Sequence, residues 1–254
     1  MERSQFTNDQ IIWSADVPRE EIQAVIDAKI LPEGTVIKLD RAFFATEDRS
    51  FIGYCQDHGY PVFCDVKIDE VPVKVLAIAR AYLEYKPFMI NIMGAALSNI
   101  NFDNEANPED MDALKRFTLD CNKAGTLSCV VTVLTSKTEE ACQYEYGASS
   151  KYQVLKYVKA AHDAGMSDIV CSPKEAAFIR EHKEYNDMWI NTPGVRLPNS
   201  SSDDQARIMT PHDALNAGAN RLVIGRDLIR GNEEISILTR VAENYEKILA
   251  NINS

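Results

Sequence analysis

Short apolar runs alternate with longer amphipathic stretches from one end of the chain to the other. Eight of the runs predict strands: Ile11 to Ala15, Thr35 to Leu39, Val62 to Val66, Phe88 to Ile92, Ser128 to Val133, Asp168 to Cys171, Met188 to Asn191 and Arg221 to Ile224. Most lack the polar and apolar alternation of a half-exposed strand. They predict strands covered on both faces, as parallel sheets under helices require.

Helical patterns fill the intervals. Pro18 opens a stretch from Arg19 to Lys29 with Ile22, Val25 and Ile26 on one face, and proline suits a first helical position. Val71 to Glu84 carries Val75, Ala79 and Leu83 at four-residue steps, and Pro108 opens a stretch reaching Ala124, just ahead of Gly125. Tyr152 to Ala164 presents Val154, Leu155, Val158 and Ala161 before Gly165, a usual helix stop. Pro173 to His182, Pro211 to Ala217 and Glu233 to Ile252 complete the set, while Asp40 to Gly59 has the weakest pattern. Eight strand-then-helix units without a Pro/Gly/Ser linker predict an α/β fold. They favour one closed (β/α)8 TIM barrel, a single domain over residues 1–254, above an open doubly wound sheet. A chain of 254 residues buries enough surface to need no staples.

Charge narrows the partners. The 27 basic and 38 acidic residues give a net charge of −11, which argues against nonspecific binding to nucleic acid or to an anionic membrane. One anionic ligand held by a few local cations remains compatible with it. No apolar run approaches the roughly 18 residues of a membrane span, and the N-terminus lacks a signal-peptide segment. Cysteines at 55, 64, 121, 129, 142 and 171 form no C-x-x-C pair, and several lie in apolar runs. They read as reduced, mostly buried thiols of a soluble cytoplasmic protein. The histidines at 58, 162, 182 and 212 have no metal-ligand spacing, so no metal is expected.

In a barrel of this kind, reactive residues sit at the C-terminal ends of the strands and in the loops that follow. The ionisable residues falling there are Asp16, Lys38 with Asp40, Asp65, Lys67, Asp69, Glu70 and Arg226. The densest cluster runs from Phe63 to Pro72. Asp65 and Lys67 are two apart, so an extended chain points both at the barrel mouth, with Cys64 and Val66 toward the helices. Lys38, ending the preceding strand, would be their neighbour. Buried charges in alternation cost desolvation unless every one is paired, and a solvated charged strand end is the alternative reading.

A second cluster lies in the last two units. Asn191-Thr192-Pro193-Gly194-Val195-Arg196 follows a strand and leads into a polar loop, Asn199 to Asp204, then Gln205 and Arg207. The final strand ends at Gly225-Arg226-Asp227. Loops after the seventh and eighth strands often hold a phosphate through backbone N–H groups, a helix N-terminus and a nearby cation. Gly225 permits close backbone approach, and Arg226 offers a fork for phosphate oxygens.

Together these residues resemble the orotidine 5′-monophosphate decarboxylase family in content and order. The resemblance runs through Asp65-x-Lys67, Val131-Thr132-Val133-Leu134-Thr135-Ser136, Thr192-Pro193-Gly194-Val195-Arg196, Asp203-Asp204-Gln205-x-Arg207 and Gly225-Arg226. It spans roughly residues 10 to 230, from Asp16-Val17-Pro18 and Val36-Ile37-Lys38 onward. It implies a decarboxylase that converts orotidine 5′-monophosphate to uridine 5′-monophosphate. Lys38, Asp65 and Lys67 would form the charged array beside the scissile carboxylate, with Lys67 the proton donor. Asp16 would hold ribose hydroxyls, and Ser136 the pyrimidine. Gln205 and Arg226, with the backbone near Gly225, would grip the phosphate, and Pro193 would join the substrate-binding residues. The resemblance further implies no cofactor and a homodimer with shared sites.

The chain departs from the family pattern at three points. Glu70 stands where an aspartate reaching into the partner's site is usual, with Asp69 one residue early as the alternative, and Lys74 replaces a threonine. Asn91-Ile92-Met93-Gly94 stands where N-V-H-A is usual. Two other readings stay open: a sugar-phosphate decarboxylase or aldolase-like enzyme on the same barrel, and a nucleotide-binding protein that has lost catalysis.

Overall fold

The computed structural model describes residues 7–96, 108–198 and 209–254, with side chains at 108–111 left aside. Eight strands are parallel and close on themselves in chain order. They are β1 (Ile11–Ser14), β2 (Val36–Asp40), β3 (Val62–Ile68), β4 (Met89–Met93), β5 (Leu127–Val131), β6 (Asp168–Val170), β7 (Trp189–Thr192) and β8 (Arg221–Ile224). Each expected strand is present within a residue or two of its expected bounds. The last predicted residues of the fifth strand lie past its end, where the Thr132 N–H and Oγ1 both still donate to the carbonyl of Val170 on the neighbouring strand. The expected (β/α)8 barrel is therefore the observed architecture.

Helices follow the strands. The stretch with the weakest periodicity holds two short ones, α2 (Arg41–Thr46) and α3 (Ser50–Asp57), after α1 (Arg19–Asp27). Asp40 starts α2 by accepting a hydrogen bond from the Phe43 N–H at 2.9 Å, so this carboxylate caps a helix. α4 (Pro72–Leu83) takes proline at its first turn, as the sequence suggests.

Side chains alternate strictly along the strands and build the barrel in layers. Ile11, Trp13, Ile37, Leu39, Cys64 and Ile90 point outward into the main core under the helices. Ile12, Val36, Phe63, Met89, Cys129 and Val223 point inward and make a separate apolar layer inside the barrel. Below that layer, Arg221 Nη1 pairs with Asp168 Oδ1 at 2.7 Å, and Asn191 donates to the same carboxylate. Above it, one strand step toward the C-terminal ends, come Lys38 after Val36, Asp65 after Phe63 and Asn91 after Met89. The period of two thus sets three polar side chains on top of an apolar floor, and two of them, Lys38 and Asp65, line the barrel mouth.

Candidate functional site

A cavity of about 520 Å³ opens at the C-terminal ends of the strands. Its floor includes Phe63, Val131, Val170 and Val223, and its polar walls come from β1, β2, β3 and the loops after β5, β7 and β8.

Asp65 is the centre of the charged wall. Its Oδ2 lies 2.9 Å from Lys38 Nζ and 2.7 Å from Lys67 Nζ, while its Oδ1 accepts from Asn91 Nδ2 at 2.6 Å. Burial alone would push this carboxyl upward, but the Coulombic pull of Lys38 and Lys67 outweighs it and holds Asp65 far below the usual carboxylate range. Burial likewise disfavours the Lys38 ammonium. Asp65, Asp16 and Asp40 outweigh that too and hold it above its ordinary value. Both members of the buried pair therefore stay ionised, with the charge pairing that such burial demands. Lys67 is the more open of the two lysines, with 36% of its side chain exposed toward the cavity mouth.

The path of the chain to Lys67 differs from the extended one expected. The ladder between β3 and β4 shifts register, so that Asp65, Val66 and Lys67 stand opposite Asn91 alone. Lys67 itself has φ +44°, in the left-handed region that a lysine rarely enters. Asp65 and Lys67 do point into the same cavity, but through a bulge, which re-aims a side chain at a strand end. The Lys67 N–H donates to Asn91 Oδ1 at 2.7 Å, and the Val66 carbonyl accepts from Arg41 Nε at 3.0 Å and Nη2 at 2.9 Å. Arg41 Nη2 also donates to the Lys67 carbonyl.

The opposite wall is built for close approach. A Cβ on Gly225 would stand 3.2 Å from Ser14 Cβ and 3.4 Å from Asp16 Oδ2, so glycine keeps this rim open. Ser14 Oγ donates to Asp16 Oδ2 at 3.0 Å, and Asp16 Oδ1 stands 3.9 Å from Lys38 Nζ. Arg226 opens a short helix, Arg226–Ile229, directly after Gly225. Asp227 faces inward and accepts from the Leu197 N–H at 2.6 Å, tying this helix to the loop that carries Pro193, Gly194 and Arg196. At its base that loop is closed by paired hydrogen bonds, Arg196 N–H to the Met209 carbonyl and Met209 N–H to the Gly194 carbonyl.

Asp16, Lys38, Asp65, Lys67, Ser136, Pro193, Gly225 and Arg226 thus line one cavity, although they come from six different strand units. Gln205, with the D-D-Q-x-R segment, lies outside the described residues. Asp69 and Glu70 are exposed on the loop after β3, and neither lines the cavity of its own chain. Sequence reasoning missed Arg41 and Asn91. The signal for Asn91 was present: one amide alone in the apolar run Met89-Ile90-Asn91-Ile92-Met93 is a buried polar group, and such a group needs partners. Arg196, noticed only as part of a motif, is 6% exposed and lines the cavity. Among the described residues, no three His, Cys, Asp or Glu side chains gather as a metal-ion cluster. No helix among them is long and apolar enough to cross a membrane.

Known proteins resemble the chain over nearly all its length. A protein of Moorella thermoacetica named orotidine 5'-phosphate decarboxylase is 30% identical across 94% of this chain and 93% of its own. One of Hydrogenovibrio crunogenus with the same name is 27% identical across 95% and 98%. The crystal structure of orotidine 5'-phosphate decarboxylase from Lactobacillus acidophilus superposes with a TM-score of 0.72 at 22% identity, covering 96% of this chain and 99% of that one, and shares the fold. The profile of the family described as Orotidine 5'-phosphate decarboxylase / HUMPS family matches residues 9–238, and with that span the chain belongs to this family.

Proposed function

We propose that this carboxy-lyase converts orotidine 5′-monophosphate to uridine 5′-monophosphate in pyrimidine nucleotide biosynthesis, by direct decarboxylation without a cofactor. The observation that carries the reading is the Lys38–Asp65–Lys67 array, with one carboxylate between two ammonium groups at the mouth of a cavity whose other rim is Gly225 and Arg226.

The chemistry follows from charge. Breaking the bond to the carboxyl carbon leaves the electron pair on the pyrimidine carbon, and carbon dioxide departs neutral. A fixed ammonium beside that carbon favours a charge that exists only late in the reaction, which is the kind of interaction that accelerates it. Lys67, the more open lysine, then gives its proton to the carbon and closes the balance. Asp65 faces the departing carboxylate, and two like charges about 4 Å apart repel by roughly 4 kcal/mol at an effective dielectric of about 20. Two lysines against one aspartate offset part of that repulsion. Ser136 would hydrogen-bond the pyrimidine and Asp16 the ribose hydroxyls. Arg226, the backbone at Gly225, Pro193 and Gln205 would hold the phosphate end, so that remote binding energy positions the ring.

A homodimer belongs to the same reading, with Glu70 or Asp69 of each chain completing the site of the other, since neither lines its own cavity. The reading takes the chain as one decarboxylase barrel domain. The six free, buried cysteines suit a cytoplasmic setting. Following ultraviolet absorbance after mixing purified protein with orotidine 5′-monophosphate tests the proposal. Conversion of the substrate spectrum to that of the uridine nucleotide is expected. An unchanged spectrum, or turnover of a sugar phosphate instead, overturns it.

A further inference from the structure

We propose that Arg41 and Asn91 are positioning residues, a two-sided clamp that holds the Lys67 bulge and thereby aims its ammonium; the kinetic part of this inference rests on the proposed decarboxylation. The bulge creates the need. Three residues, Asp65 to Lys67, stand against one, so the parallel ladder resumes only at Ile68. The carbonyls of Val66 and Lys67 and the N–H of Lys67 are met by side chains from the two flanking units.

From the β2 side, Arg41 holds both carbonyls with one guanidinium. Its Nε and Nη2 converge on the Val66 carbonyl, and Nη2 also reaches that of Lys67. A planar fork with fixed donor directions suits two adjacent carbonyls in a way a single ammonium cannot. From the β4 side, Asn91 is fully buried and spends both ends of its amide here. Oδ1 accepts the Lys67 N–H, and Nδ2 donates to Asp65 Oδ1. One side chain therefore fixes the backbone of the lysine and the carboxylate that receives its Nζ. A non-glycine residue persists at positive φ only where its surroundings over-determine it, and here the surroundings are these two side chains.

Neither residue lines the cavity, so each acts through Lys67 and Asp65 and not on a ligand. That separates the clamp from a binding role. Arg41 is an exposed residue, so removing its donors leaves the core intact, whereas the buried Asn91 carries a greater risk to folding.

The test uses Arg41→Met, Arg41→Lys and Asn91→Ala, with two readouts. In steady-state kinetics, kcat is expected to fall on the order of a hundredfold in Arg41→Met and Asn91→Ala, the effect of displacing a catalytic group by about 1 Å. Affinity for uridine 5′-monophosphate is expected to stay within a few-fold, and Arg41→Lys to recover only part of the loss. A purely structural role would lower the melting temperature and leave kcat of the folded fraction unchanged, and that result overturns the clamp. In crystals of Arg41→Met, Lys67 is expected to leave the left-handed region and its Nζ to move away from Asp65. Retention of both features overturns the clamp whatever the turnover. Wild-type protein that leaves orotidine 5′-monophosphate untouched removes the substrate reading alone, because the crystallographic comparison still decides the clamp.

Discussion

Lys38 Nζ lies 2.9 Å from Asp65 Oδ2, with 8% of either side chain exposed. A pair this deep is stable only while both members are ionised, and it makes the stability of the barrel depend on pH at both ends of the scale. Asp65 is held below its unfolded value, so its contribution is complete above the unfolded pKa of about 4 and is lost as pH falls toward the folded one. Lys38 is held above its unfolded value, so its contribution is complete below about pH 10 and is lost at higher pH. Urea unfolding of wild type and Asp65→Asn should therefore differ most between roughly pH 5 and 10, by about 3 kcal/mol, because the variant leaves Lys38 buried without its partner. Below about pH 4 the difference should shrink. A constant difference from pH 3 to 8 would detach the pair from stability.

Lys67→Ala removes the proposed proton donor and one of the two ammonium groups on Asp65. Losing a preorganised charge at the reacting atom costs on the order of a hundred- to a thousandfold, and losing proton transfer costs more. Single-turnover measurements should show a fall of at least about a thousandfold. Calorimetry should find uridine 5′-monophosphate binding little changed, since the product has no group needing that proton. Retained turnover takes Lys67 out of the mechanism.

Arg226→Ala acts at the other rim. A charge-assisted hydrogen bond contributes about 1.5–3 kcal/mol, so the Michaelis constant should rise roughly ten- to a hundredfold while the unphosphorylated nucleoside, already a weak ligand, is affected little. Comparing inhibition by uridine and by uridine 5′-monophosphate isolates the phosphate end. Equal losses for both would place the arginine elsewhere in recognition.

How much of this was legible depended on which physical rule dominated each segment. The eight strands were readable because burial on both faces leaves nearly continuous apolar runs, as in Met89-Ile90-Asn91-Ile92-Met93. The stretch from Asp40 to Gly59 was not, because α2 and α3 are too short for a stripe to declare itself, and α2 relies on the cap at Asp40. That cap also explains why Asp40, a fair candidate by position, serves a helix. Lys38, Asp65 and Lys67 were legible as strand-end charges, yet the bulge was not. Simple alternation sends Lys67 to the correct side, and nothing in D-V-K reveals that the lysine turns to positive φ. Arg41 was hidden for the same reason, since its partners are backbone carbonyls freed only by that bulge, whereas Asn91 showed itself as a lone amide in an apolar run but not its bond to the Lys67 N–H.

The loop after β3 supplies the last test. Glu70 and Asp69 lie on the surface of their own chain, next to exposed Val71 and Val73, of which 62% and 77% is accessible. Exposed apolar side chains beside two carboxylates that miss the home cavity fit a two-fold interface at which each chain completes the other's site. Inactive Lys67→Ala and Glu70→Ala subunits, unfolded together and refolded at equal concentration, would then form mixed dimers. Each mixed dimer carries one site with both residues intact and one with neither. Half the dimers being mixed, activity should recover to about a quarter of wild type for a closed two-fold assembly. If Asp69 is the residue that crosses, Glu70→Ala will be active alone and Asp69→Ala will give the recovery in its place. Recovery with neither variant, although the dimers exchange, would confine each site to a single chain.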